Sequence, residues 1–154
     1  MARFKVISGG QVGVDRVALD AALDLGIEIG GFVSAERKAE DGRVPDKYTG
    51  MVELDSPGYS ERTRRNVETA DATLILIPKV GHSSPGTNLT IGLCGRLGKP
   101  GLIQALGVDN SQCVAWCNDL IKDGWVLNCA GPRVINLDKT YRFFVSLFEE
   151  LKAS

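Results

Sequence analysis

Two loops of small residues hold the groups best suited to chemistry. The first is Ser8-Gly9-Gly10-Gln11-Val12-Gly13-Val14-Asp15-Arg16, which follows the apolar run Phe4 to Ile7 and leads into a helical pattern. Glycine lets backbone bend sharply and approach a ligand closely, and a helix opening just after such a loop leaves N–H groups free for an anion. The stretch therefore reads as strand, tight turn and helix with a phosphate cradle between them, and Gly9, Gly10, Gln11, Gly13, Asp15 and Arg16 are its candidate ligand-binding residues. Compared with the dinucleotide fingerprint G-x-G-x-x-G, serine stands at the first glycine and no ribose-binding acid is clearly placed about 20 residues on. Ordinary NAD binding is disfavoured. A Walker A loop ends in Gly-Lys-Ser/Thr, and Gly13-Val14-Asp15 does not supply it. Arg16 adds a further sign of a ligand: a cation in the first helical turn opposes the macrodipole and calls for an anion beside it, either Asp15 or a bound group.

The second loop, Lys79 to Thr90, opens another helix running to about Leu97, with Gly86, Thr87, Asn88 and Thr90 at its start. It follows Ala72 to Ile77, a continuous β-branched and leucine run of the kind buried on both faces of a parallel sheet. Both loops would then leave carboxyl ends of strands, where open α/β folds place their ligands.

The elements that position these loops can be read from the hydrophobic period. Val14, Val17, Ala18, Ala21, Ala22 and Leu25 recur at helical spacing up to Gly26, and Ile27 to Val33 follows as a strand, giving a first right-handed βαβ unit. From Ser34 to Gly58 no period survives, and a loop this long is usually functional or disordered. Its Glu40 and Asp41 are further candidate site carboxylates, and Met51 to Leu54 could add a brief edge strand. Tyr59 to Ala70 is a polar helix, with Ser60 as its expected N-cap. Tyr59, Thr63, Val67 and Ala70 would face inward, while Arg62, Arg65 and Asn66 share another face, either solvated or turned to a ligand. Gly101 to Ala105 reads as a strand, Ser111 to Lys122 as a helix, Trp125 to Cys129 as a strand and Tyr141 to Leu151 as a closing helix. About five βα units in sequence predict one α/β domain over residues 1–154: three layers around a doubly wound, mainly parallel sheet of about five strands.

Composition narrows the partners. A length of 154 residues suffices for a proper core, and a net charge of −1 gives no basic stripe for nucleic acid. No apolar run reaches membrane-spanning length. With Met1-Ala2-Arg3 leading straight into the first strand, the four cysteines are expected to be reduced thiols in a cytoplasm. Cys113 and Cys117 share a helix face and could ligate a metal with Cys129 or His82, but buried small hydrophobes are the better reading because structural zinc spacings are absent. Phe143, Phe144, Leu147 and Phe148, with Trp116 and Trp125 near in sequence, offer more aromatic surface than one helix face needs, which suggests a subunit interface.

Taken in order, the first loop, Ala39-Glu40-Asp41-Gly42, Arg62-Thr63 with Asn66-Val67, Pro85-Gly86-Thr87-Asn88-Leu89-Thr90, and Asn128 with Ala130-Gly131-Pro132-Arg133 resemble the molybdenum cofactor carrier proteins. The match covers nearly the whole chain. It implies a Rossmann-like fold and oligomeric binding, as a dimer or tetramer, of molybdenum cofactor (molybdopterin), a pterin carrying a phosphate. The chain is also similar to the wider group of LONELY GUY-type phosphoribohydrolases and "lysine decarboxylase-like" proteins. Those enzymes carry Pro-Gly-Gly-x-Gly-Thr-x-x-Glu after the buried strand. Here the Gly-Thr core is kept, but Thr90 stands where the glutamate belongs, and threonine cannot supply its charge or its acid/base capacity. The sequence thus favours a cytoplasmic, oligomeric binding or carrier protein for a phosphorylated small molecule, with no protein-held metal. The alternatives are a hydrolase-type enzyme on a nucleotide-like metabolite, drawing on Glu40, Asp41 or Asp15, and a nucleotide-sensing module.

Overall fold

The computed structural model describes residues 3–154. Strand β1 (Phe4–Ile7) leads through the first glycine loop into helix α1 (Val14–Asp24), and β2 (Glu28–Val33) returns beside β1 in parallel. A 3-10 turn (Ala35–Arg37), a hairpin of β3 (Lys38–Ala39) and β4 (Gly42–Arg43), and β5 (Met51–Glu53) follow. Then come α2 (Tyr59–Thr69), β6 (Ala72–Ile77), α3 (Pro85–Leu97), β7 (Gly101–Ala105), α4 (Ser111–Leu120), β8 (Trp125–Ala130) and α5 (Leu137–Ala153).

The main sheet has six strands in the order β5-β2-β1-β8-β6-β7, every pair parallel. This corrects the expected count of five, because Met51–Glu53 pairs with Gly31 to Val33 and extends the edge. The last strand in the chain lies inside the sheet, between β1 and β6. Its Leu127 and Cys129 are fully buried. The all-parallel arrangement brings the loops after β1, β6 and β8 out along one carboxyl edge.

Helices cover both faces. Phe144, Leu147, Phe148 and Leu151 recur on α5 at three- and four-residue steps and are fully buried with α1 and α4 residues in the main core, where Phe148 lies 6.2 Å from Phe4 and 5.5 Å from Phe144 between ring centroids. Phe144 and Phe148 therefore pack within their own chain, while Phe143 is half-buried. On the opposite face Val67 of α2 packs with Leu93 and Cys94 of α3.

The segment from Ser34 to Gly58 is neither periodic nor loose. The Arg37 guanidinium donates to the carbonyls of Val44, Pro45 and Tyr48 at 3.0, 2.8 and 3.2 Å, and Val44 and Tyr48 are buried. Tyr48 in turn donates to Asp20 on α1 at 2.7 Å. Helix α2 begins at Tyr59 with Gly58 at its N-cap position, not at the expected Ser60, so Tyr59 joins the first helical turn. Among the described residues, no helix is long and apolar enough to cross a membrane.

Candidate functional site

Along the carboxyl edge, between the loop after β1, the start of α2, the start of α3 and the loop after β8, lies a cleft of about 530 Å³. That is the usual size of a small-molecule pocket. Of the residues singled out in the sequence, Gly9, Gln11, Asp15, Arg62, Asn66, Gly86, Thr87 and Thr90 line it, and Gly10, Gly13, Arg16, Glu40, Asp41 and Asn88 do not.

The reasons differ for each residue outside the cleft, and Asn88 is exposed and bonded to the Ser83 hydroxyl, its Nδ2 donating at 3.0 Å. Gly10 adopts a φ of +69°, and a Cβ there would come within 2.9 Å of Val44, so this glycine faces the packed excursion after β2. At Gly13, with φ +91°, a Cβ would lie 2.5 Å from the Pro132 carbonyl oxygen; the glycine lets the first loop press on the loop after β8. Arg16 donates through both terminal nitrogens to Asp41, at 2.5 and 2.7 Å, and through Nε to the Gly10 carbonyl at 2.9 Å. The anion that its position calls for is thus Asp41, brought 25 residues along the chain by the β3–β4 hairpin. Beside it Glu40 pairs with Arg133 at 2.5 Å, and the Glu40 amide donates to Gln11 Oε1 at 2.8 Å. The Asp41 carboxylate thus ties the hairpin to α1 and the Glu40 carboxylate ties it to the loop after β8, while the Glu40 amide reaches the loop after β1.

Within the cleft the most telling residue is Arg62. It is 8% exposed, and its Nε and NH1 are buried with no hydrogen-bond partner. Helix α2 starts at the carboxyl edge, so its first turn carries Arg62 toward the first loop. The missing side chain of Gly9 makes room for it, since a Cβ there would lie 2.6 Å from Arg62 Nε. The guanidinium carbon also stands 4.7 Å from the Tyr59 ring centroid, a cation–π distance. Unpaired buried donors on a charged group are costly, and a charged guanidinium is built for bidentate contact with phosphate or carboxylate.

The other polar groups fall into two sets. Asn66 exchanges two hydrogen bonds with the Phe32 backbone at 2.8 and 3.1 Å, which fixes α2 to β2. Thr90 Oγ1 donates to the Gly86 carbonyl at 3.0 Å, and Asn128 donates to Thr73 at 3.3 Å. At the start of α3, Ser84 is the N-cap and accepts from the Thr87 amide at 3.3 Å, while a Cβ at Gly86 would meet open space. His82, with a buried and unpartnered Nε2, also lines the cleft. Sequence reasoning treated His82 only as a stray metal ligand and Tyr59 only as packing; the position of His82 in the second small-residue loop was the signal for it.

Asp15 is the one acidic side chain lining the cleft among the described residues. Burial, opposed by the nearby Arg62 charge and by the Gln11 and Gly9 amides, pushes its carboxyl up from an ordinary 3.8 to about 6. Three of the four free, buried cysteines lie away from the cleft; Cys129 lines it, with its thiol held protonated by burial.

The fold and the cleft together define a Rossmann-like α/β protein with a polar pocket at the carboxyl edge of a parallel sheet. Residues 6–151 match the model of the Circularly permutated YpsA SLOG family, and the chain belongs to that family. It is also similar to a crystal structure of a protein named "Putative molybdenum carrier protein" from Syntrophus aciditrophicus, with 37% identity, a TM-score of 0.81 and coverage of 97% of this chain and 94% of that one. No curated protein matches the chain.

Proposed function

We propose that the chain binds a small phosphorylated ligand in this cleft and carries it without transforming it. The observation that supports this reading is Arg62, a buried guanidinium with two unpartnered nitrogens beside a glycine loop and a helix start. A phosphate group satisfies those donors as no side chain does, and α3 adds the favourable end of its dipole. The name of the Syntrophus relative and the five ordered motifs favour molybdenum cofactor as the ligand. The cleft fits the phosphorylated end of such a molecule, because an orphaned donor pair and the open space at Gly86 lie in the same cavity. When bound, the cofactor itself brings the molybdenum and the pterin. This chain would contribute Arg62, with Gly86, Thr87 and His82 around the phosphate, and the apolar walls of Leu89, Pro132 and Val134.

A carrier reading suits the acid/base inventory. Thr90 uses its hydroxyl on its own helix, Glu40 and Asp41 lie outside the cleft in ion pairs, and Asp15 is the carboxyl that remains. Native mass spectrometry of the purified chain tests the proposal. The expected result is a copurifying phosphorylated adduct that disappears in Arg62→Met. An adduct unaffected by that change would place the ligand elsewhere, and release of free base from added nucleoside monophosphates would replace carriage with hydrolysis.

A further inference from the structure

The cleft holds a group that an anion site does not ordinarily keep, a carboxyl beside the cation. Asp15 is 7% exposed and lines the same cavity as Arg62. Its place is fixed by the first loop: the Gln11 amide donates to Oδ2 at 3.4 Å, and the Ser8 hydroxyl donates to the Asp15 backbone oxygen at 2.9 Å. The charged and titratable groups around it come from every side. Arg62 reaches it from α2, Arg16 from its own helix and the Cys129 thiol from β8, while Tyr59, His82 and Arg133 complete the titratable lining of the cleft among the described residues. Arg16 is engaged by Asp41 and Arg133 by Glu40, so Arg62 is the cation left for a ligand. Asp15 does not occupy Arg62 Nε or NH1, since both lack partners.

An anion held by Arg62 therefore sits beside a buried carboxyl. Two full negative charges repel strongly where water is excluded, and a single proton between them converts the repulsion into a charge-assisted O–H···O bond. A phosphomonoester has such a proton available, with a second ionisation near 6, whereas a sulfate ester or a phosphodiester has none at neutral pH.

We propose that Asp15 is the selectivity residue of the cleft: its carboxylate accepts a hydrogen bond from a protonated phosphate oxygen, admitting phosphomonoesters and rejecting sulfate esters and phosphodiesters. The inference rests on the anion-binding reading above and narrows its ligand class. A buried group that must be paired discriminates against the analogue that cannot pair with it. The raised Asp15 carboxyl sets the pH window. Above about 6 it is ionised and needs the ligand's proton. Below that value it carries its own proton and can donate to any oxyanion, so the selectivity disappears. At alkaline pH the bound phosphomonoester draws one proton from solvent, which ends on the oxygen between phosphorus and Asp15; no bond to phosphorus is made or broken.

Isothermal titration of the full chain with methyl phosphate and methyl sulfate tests this. Near pH 8 methyl phosphate should bind at least ~10-fold more tightly than methyl sulfate, and its heat should vary with the buffer's ionisation enthalpy in proportion to proton uptake. Near pH 5 the two affinities should converge to within about threefold. Asp15→Asn should keep methyl phosphate and gain methyl sulfate at the higher pH. Equal affinities in the wild-type chain near pH 8, or a preference that survives Asp15→Asn, overturns the role of Asp15 and leaves the anion site standing. Failure of both probes to bind overturns the anion site itself, and this inference with it. The wild-type ratio decides the matter even if the asparagine variant does not fold.

Discussion

The loop after β1 and the loop before α3 look alike on paper, each a cluster of small residues opening a helix, yet they meet opposite surroundings. In the first, Gly10 and Gly13 abut Val44 and the Pro132 carbonyl, and Arg16 is closed off by Asp41. In the second, Gly86 faces open space, and the neighbouring α2 brings a buried, unpaired Arg62 into the same cleft. The difference teaches that glycine in such a loop has two distinct uses. One is close backbone packing, where any side chain collides with protein. The other is room for a ligand, where a side chain collides with nothing until the ligand arrives.

Four substitutions sharpen or break that contrast. The largest effect should come from Gly13→Ala, which puts a Cβ within 2.5 Å of the Pro132 carbonyl oxygen in a residue with φ +91°. We expect a loss of about 3 kcal/mol or more by denaturant unfolding, independent of any ligand. A near-neutral result would break the packing account of the first loop.

Arg62→Met should act with the opposite sign on the empty protein. Removing a buried cation whose Nε and NH1 lack partners should raise stability by about 1–3 kcal/mol near pH 4, where Asp15 is neutral and loses no counter-charge, and should abolish phosphate binding. Lower stability without ligand would show that Arg62 is structural, like Arg16.

Asp15→Asn probes the same cleft through pH. A carboxyl raised from 3.8 to about 6 means that the folded chain holds a proton which the unfolded chain has already released across that interval. The stability this contributes is present below about 4 and is lost as pH rises to about 6, so the charged form weakens the fold at neutral pH. Asp15→Asn should therefore be more stable than wild type by roughly 1–3 kcal/mol at pH 7, with the difference vanishing below about pH 4. Thermal unfolding across that range checks both the sign and the window.

The smallest effect belongs to Asp41→Asn. Its carboxyl is held below the usual range by the hydrogen bonds from Arg16, but it is exposed, and exposed pairs contribute little. A slight fall in Tm that disappears in high salt is expected, with phosphate affinity unchanged. A large loss of affinity would return the Glu40–Asp41 turn to the binding site.

How legible the protein is depends on how local each signal is. Strands Ala72–Ile77 and Gly101–Ala105 are readable to the residue, because the first is a β-branched and leucine run stopped by Pro78 and the second starts just after Pro100. The doubly wound α/β class follows from alternating periods in the same way, and the cleft's glycines from the residue types at strand ends. The sixth strand is fainter: Met51 to Leu54 suggests a brief edge strand, but Met51–Glu53 is only three residues long and its place in the sheet comes from pairing with β2. Sequence also could not show that β8, last in the chain, enters the sheet between β1 and β6, since strand order depends on pairing between segments far apart in the chain.

What the sequence determined by itself is therefore the set of elements and the small-residue loops, both carried by near neighbours along the chain. The tertiary structure decided which charges are satisfied. Arg16 and Arg62 read alike as cations on helices, and only the fold brings Asp41 to the first and leaves the second buried without a partner. It likewise turned Phe144, Leu147 and Phe148 inward. The physical reason is the same in each case: the energy of a charge or an aromatic ring depends on what surrounds it in space, and those surroundings come from segments tens of residues away.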